Sequence, residues 1–214
     1  MIDSYRHKGL RRQLIDELKE KGITDKAVLD AFDKVPRHFF LDSSFMNQAY
    51  TNQAFRIGAE QTISHPFTVA FQTSLLELQR GHKVLEIGTG SGFQTSILCE
   101  IGVRVVSIER QKELFINAKP KIFNLGYTPN LFFGDGFKGK ASYAPYDSIL
   151  VTCGAPFIPQ DLKEQLKVGG KLVIPVGEGK MQIMTRLIKL ENGDFETETY
   201  GDFSFVPMLE KTAK

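Results

Sequence analysis

Three glycines at alternate positions, Gly88, Gly90 and Gly92, follow the apolar run Val84-Leu85-Glu86-Ile87 and precede a second apolar run that begins at Phe93. Glycine permits a tight turn and lets the backbone approach a ligand closely. If the second run is a helix, its first turn offers free N–H groups at the same place. An acid, Glu109, follows about 20 residues later, the spacing at which a strand-end carboxylate meets ribose hydroxyls in nucleoside-binding α/β folds. The alternative is a plain turn followed by a solvated glutamate. Turn, spacing and acid together favour a nucleoside site. The dinucleotide pattern G-x-G-x-x-G does not fit, because the third glycine comes one residue early. Asp135-Gly136 falls after the next β-rich run, where an adenine amino group could be read; taken alone it is an ordinary turn.

These residues need a sheet to hold them. Short β-rich runs at 83–87, 104–108, 130–133, 147–152 and 171–176 alternate with helical patterns at 92–101, 111–125 and 159–167. Such alternation predicts a parallel sheet covered on both faces. Runs at 181–190 and 195–205 flank Asn192-Gly193, a hairpin signal, so an antiparallel pair should end the sheet. The first third reads helical. Leu10, Leu14, Ile15 and Leu18 share a face, and Gly22 ends that helix. Thr24 is the expected N-cap of a second helix, with Ala27, Val28, Ala31 and Phe32 inward and an end near Pro36. Residues 37–58 have no clean period but carry Phe39, Phe40, Phe45, Tyr50 and Phe55, which predicts packed loop and short helix. Ser64-His65-Pro66 reads as a helix start, with Ser64 as its cap. The expected organisation is one α/β domain, doubly wound and Rossmann-like, with a mostly parallel seven-stranded sheet. It divides into a helical flank (1–80), a nucleoside-binding core (81–177) and C-terminal strands (178–214).

Composition narrows the function classes. The 214 residues are 42% apolar and 24% charged, the profile of a globular chain rather than a disordered one. A net charge of +2 gives no electrostatic case for nucleic acid or an anionic membrane. No apolar run reaches membrane-spanning length, and the N-terminus lacks a signal-peptide core. Cys99 and Cys153 fit no metal spacing, so a reducing cytoplasm and no metal are expected. A monomer is expected. The four histidines, at 7, 38, 65 and 82, are scattered, and no catalytic triad can be read.

Several segments resemble the protein-L-isoaspartate O-methyltransferase family. They are Val35-Pro36-Arg37-His38-Phe39, then Ile57-Gly58 with Gln61-Thr62-Ile63-Ser64, and the turn from Val84 to Gly92. Ala144-Pro145-Tyr146-Asp147, the stretch Leu166-Lys167-Val168-Gly169-Gly170-Lys171 and the terminal Phe205-Val206-Pro207 also match, so the resemblance spans nearly the whole chain. The turn alone would indicate only class I methyltransferases; the upstream Gln-Thr-Ile-Ser and the final Phe-Val-Pro are the specific part. Glu60, His65, Phe93 and Lys140 depart from the common pattern beside these motifs.

The resemblance implies S-adenosylmethionine as cofactor and S-adenosylhomocysteine as product. The implied acceptor is the free α-carboxylate of L-isoaspartyl residues in damaged proteins and peptides, whose methyl ester closes to a succinimide. It further implies that Ser64 orients the acceptor, that Gln61, Thr62, Ile63 and Arg110 lie beside the cofactor, and that Val206 and Pro207 receive the peptide backbone. Glu86 is expected to help hold the amino-acid end of the cofactor, Glu109 the ribose, and Asp135-Gly136 the adenine. The acceptor carboxylate is ionised at neutral pH and needs no general base. Three other readings stay open: a class I methyltransferase for a small molecule, a binding protein without chemistry, and an NAD-dependent oxidoreductase.

Overall fold

The computed structural model describes residues 2–213. Helix α1 (Tyr5–Glu20) starts at Ser4, whose hydroxyl accepts from the His7 N–H, and buries Leu14, Ile15 and Leu18. Helix α2 (Lys26–Lys34) is capped one residue later than expected. Asp25, not Thr24, accepts from the N–H groups of Ala27 and Val28. A carboxylate at that position pairs with two donors and suits the helix dipole, which a threonine would do less well. Ala27 is exposed; Val28, Ala31 and Phe32 face inward.

Two short 3-10 turns, Arg37–Phe40 and Ser43–Gln48, follow. They lead into a hairpin that the sequence reading did not anticipate, β1 (Phe55–Gly58) paired with β2 (Gln61–Ile63). Its two-residue turn, Ala59-Glu60, has positive φ at both positions (47° and 57°), as a type I′ turn requires. Neither residue is a usual turn former, which is why the hairpin was not legible. Helix α3 (Pro66–Leu75) has Pro66 at its first position, and His65 is the cap residue without a side-chain bond. Ser64 therefore does not cap it.

The main sheet contains β3 (Lys83–Ile87), β4 (Arg104–Glu109), β5 (Asn130–Phe133), β6 (Tyr146–Val151), β7 (Leu166–Val176), β8 (Gln182–Lys189) and β9 (Phe195–Phe203). Their spatial order is β5-β4-β3-β6-β7-β8-β9; the first five are parallel, and β8 and β9 add on antiparallel. Helices α4 (Phe93–Ile101), α5 (Lys112–Asn124) and α6 (Gln160–Glu164) complete the crossovers. The predicted helix at 159–167 is shorter than expected because Leu166 and Lys167 already belong to β7, where Leu166 pairs with Tyr146. The expected seven-stranded, doubly wound, mostly parallel sheet is present.

Three apolar clusters hold these layers. One runs without a break from Leu14 on α1 through Ile63 on β2 to Ile122 on α5, so the N-terminal helices and the hairpin share a core with the sheet's helices. The other two clusters include residues from β3, β4, β6, β7 and β8. Strand order changes direction at β3, between β4 and β6. A crevice at the carboxyl ends of the strands is the expected ligand position for this topology.

Candidate active site

A cleft lies at that switch point. Including its open mouth it measures about 850 Å³. Four segments wall it: the turn Gly88 to Ser91, the strand end Glu109-Arg110, the hairpin exit Gln61 to Ser64, and the C-terminal stretch Val206 to Leu209.

The turn is shaped by glycine where no other residue fits. Gly88 has φ of +97°, and a Cβ there would stand 2.4 Å from Thr152 Oγ1. That hydroxyl is fixed, since it lies 2.9 Å from the carbonyl oxygens of both Ile87 and Gly88. Gly92 does not line the cleft. It is the cap residue of α4, and a Cβ on it would meet Ile122 Cγ1 at 2.8 Å, so it allows α4 to pack against α5.

Glu109 is 4% exposed and lines the cleft. Its Oε2 accepts from the Gly90 N–H and its Oε1 from the Gln111 N–H, each at 2.8 Å. Burial raises its pKa, and these backbone donors act against the rise. Each carboxylate oxygen keeps a lone pair for a further donor. Arg110 also lines the cleft and ties to the C-terminal stretch by an Nε bond to the Lys211 carbonyl.

Glu86 is not brought to the cleft. Its side chain is wholly buried under the turn, where Oε2 accepts from Thr95 on α4 and from Ser107, its register partner on β4. Burial pushes its carboxyl up to about 8. Strand alternation directs this side chain, expected at the cofactor's amino-acid end, toward α4 rather than out of the strand end. It reaches the cleft only indirectly, through Ser107 to Thr89 at 2.6 Å. Asp135 is likewise absent from the cleft lining. Its oxygens accept from the N–H groups of Phe137 and Lys211, so it fastens the C-terminal stretch to the loop after β5. Gly136 does line the cleft.

On the opposite wall, Ser64 is half-buried and its hydroxyl has no hydrogen-bond partner among the described residues. Its carbonyl accepts from Arg37 Nη2 at 3.1 Å. Arg37 is 1% exposed and also donates to the carbonyls of Ala49 and Gln53. That buried guanidinium therefore joins the hairpin's exit to the preceding loop. The C-terminal stretch is pinned by Gly154, whose N–H donates to the Val206 carbonyl (2.8 Å) and whose carbonyl accepts from the Met208 N–H (2.7 Å). The Val206 N–H and the Pro207 carbonyl make no such bond among the described residues.

The sequence reading missed Gln72, Gln94, Thr89, Ser91 and Thr152 as cleft residues. A buried glutamine on each of two mainly apolar helices, α3 and α4, was the available signal. Cys153 also lines the cleft, with its thiol pushed up to about 12 by burial. The histidines are less scattered than expected. The rings of His7 and His38 meet at 3.9 Å, outside the cleft lining, and His38 Nδ1 lies 2.7 Å from the Tyr50 hydroxyl. His65 is exposed at the start of α3; partial desolvation of its ring and the nearby Arg37 lower its pKa.

Comparison with known proteins places this geometry. The family model described as protein-L-isoaspartate(D-aspartate) O-methyltransferase matches residues 9–213. A protein-L-isoaspartate O-methyltransferase of Christiangramia forsetii is 56% identical over 211 residues, covering 98% of this chain and 99% of that protein. A solved protein-L-isoaspartate O-methyltransferase superposes with a TM-score of 0.84 at 28% identity, over 92% of this chain and 65% of the solved one. A Plasmodium falciparum structure in complex with S-adenosyl-L-homocysteine shares the fold, with a TM-score of 0.82 at 23% identity over 93% of this chain and 98% of its own. With the model and the relative both running almost end to end, the chain belongs to the protein-L-isoaspartate(D-aspartate) O-methyltransferase family.

Proposed function

We propose that this chain transfers the methyl group of S-adenosylmethionine to the free α-carboxylate of L-isoaspartyl residues in proteins and peptides, starting their repair through a succinimide. The observation that carries this reading is that Glu109 and Ser64, on opposite walls, line one cleft in a chain of this family. When bound, S-adenosylmethionine supplies an electrophilic methyl on a sulfonium.

The fit of the cleft to that cofactor rests on the donor set. Glu109 is a buried carboxylate with lone pairs to spare, and it accepts the ribose hydroxyls. Gly88 leaves the turn without a side chain over the strand end. Gly136 bounds the adenine side, where a Cβ would stand 2.4 Å from Ile87 Cγ2. Gln61, Thr62, Ile63 and Arg110 close around the cofactor. Ser64 donates its unpartnered hydroxyl to the acceptor carboxylate and holds it in line. The free Val206 N–H and Pro207 carbonyl pair with an extended peptide backbone, which keeps recognition independent of flanking side chains. Glu86 and Asp135 support these walls from outside. No proton has to be removed, since the acceptor is already ionised. The work of the residues is orientation and exclusion of water.

No helix among the described residues is long and apolar enough to cross a membrane. A cytoplasmic monomer acting on isoaspartyl proteins, without nucleic acid or metal, fits the near-neutral charge and the two free cysteines. The test is methyl transfer from labelled cofactor to an isoaspartyl peptide beside its normal aspartyl twin. Label in the isoaspartyl peptide alone is expected. Equal labelling of both would overturn the repair function and leave a broader methyltransferase.

A further inference from the structure

One buried side-chain atom of the cleft lining has no partner. Gln94 sits in the first turn of α4, is 8% exposed and lines the cleft. Its Nε2 donates to Thr73 Oγ1 at 3.0 Å. Thr73 uses its own proton on the Val69 carbonyl at 2.7 Å, so it can only accept from Gln94. That fixes the amide's orientation, because a flipped amide would set acceptor against acceptor. Gln94 Oε1 is then a buried acceptor without a hydrogen-bond partner among the described residues. Such atoms are uncommon and costly, and a bound ligand is one standard remedy.

The position of Gln94 says which donor is missing. Gly136 follows β5, Glu109 ends β4 and the glycine turn follows β3, with β6 next in spatial order. Adenine, ribose and the 5′ substituent would therefore run in that order across the strand ends. Gln94 follows the glycine turn and bonds Thr73, the chain neighbour of Gln72, whose Nε2 donates to the Val151 carbonyl at the end of β6, which ties Gln94 to the β6 side of this series. The 5′ substituent of the cofactor ends in an α-ammonium and an α-carboxylate. An amide oxygen can pair only with the ammonium of these two.

We propose that Gln94 Oε1 accepts a hydrogen bond from the α-ammonium of the cofactor, so that Gln94, rather than Glu86, reads the amino-acid end. This rests on the cofactor reading of the cleft given above. Thr73 fixes the glutamine before the cofactor arrives, and the glutamine adds selectivity for ligands that carry the amino group.

Calorimetry with three ligands tests it: S-adenosylhomocysteine, its deaminated analogue, and 5′-methylthioadenosine, which lacks the amino-acid end. Gln94→Leu should weaken S-adenosylhomocysteine about tenfold, one hydrogen bond to a charged group. The same change should leave 5′-methylthioadenosine and the deaminated analogue within about twofold of wild type. Gln94→Met, closer in shape, repeats the measurement should the leucine variant fold poorly. Equal losses for S-adenosylhomocysteine and 5′-methylthioadenosine, or no loss for either, would overturn the assignment. Failure of wild type to bind any of the three would instead overturn the cofactor reading of the cleft, and the assignment with it.

Discussion

The two walls of the cleft are built differently. The sheet wall, Gly88 to Ser91 with Glu109, hangs on adjacent parallel strands whose pairing runs unbroken from Lys83↔Arg104 to Ile87↔Ile108. The cover wall, Gln61 to Ser64 with Val206 to Pro207, hangs on a bulged three-residue pairing and on the isolated bridge Gly154↔Pro207. On the sheet wall the functional groups are already bonded, as Glu109 is to Gly90 and Gln111. On the cover, the Ser64 hydroxyl and the Val206 N–H are free among the described residues. A cofactor of constant shape suits a fixed wall. A peptide of variable sequence suits a wall that offers open backbone groups and a single hydroxyl.

The largest expected effect is on the support of the sheet wall. Glu86 has a folded-state pKa near 8 against an ordinary 4.5, so folding favours its neutral form. The stability this contributes is fully present below about pH 4.5 and is lost as pH rises through about 8. Relative to Glu86→Gln, wild type should lose roughly 3–4 kcal/mol between pH 5 and pH 8. Urea midpoints of both proteins at pH 5 and pH 8 measure it, and parallel pH trends would show that the glutamate is ionised when folded.

Next is the carboxylate on the sheet wall itself. Glu109→Ala removes the proposed ribose acceptor and strands two backbone donors, so S-adenosylhomocysteine affinity should fall by ~3 kcal/mol, more than a hundredfold. Ser64→Ala should leave that affinity unchanged. Calorimetry on the two variants sharpens the division between walls; a comparable loss in both would erase it.

The cover should answer in turnover. Ser64→Ala removes the hydrogen bond proposed to the acceptor carboxylate, worth ~1.5–3 kcal/mol, or roughly ten- to a hundredfold in kcat/KM for an isoaspartyl peptide. The rate should not change through ionisation of a base between about pH 6 and 8, since the acceptor titrates near 3.5. His65→Ala should therefore leave the profile unaltered. An ascending limb near 6.5 that disappears in that variant would reveal a base at the cover.

The smallest effect concerns the hairpin turn. Glu60 has φ of +57°, a conformation that a residue with a Cβ adopts at a cost. Glu60→Gly should stabilise the protein by ~1 kcal/mol. A thermal melt reads the gain, and a lower melting temperature would mean that the glutamate side chain offsets the strain of its backbone.

The sequence by itself determined the sheet wall. Strand periodicity, the glycine spacing and the acid at 109 are all local features of the chain, and parallel register turns local spacing into distance. It placed the strands along the chain closely enough that 130–133 needed no revision. It also located Ser64 and Val206-Pro207, but only through resemblance, because nothing in their own spacing distinguishes them from a cap and a strand exit. Tertiary structure alone decided the rest. Which way Glu86 points depends on how α4 packs beneath β3, and the partner it finds there, Ser107, lies on another strand. Asp135 and Lys211 meet because the chain's end crosses the strand tips. Gln94 is left with an unpaired oxygen only because Thr73, on a different helix, has spent its proton elsewhere. A hydrogen bond satisfied or left open is a property of three-dimensional neighbours, and no periodicity in the chain records it.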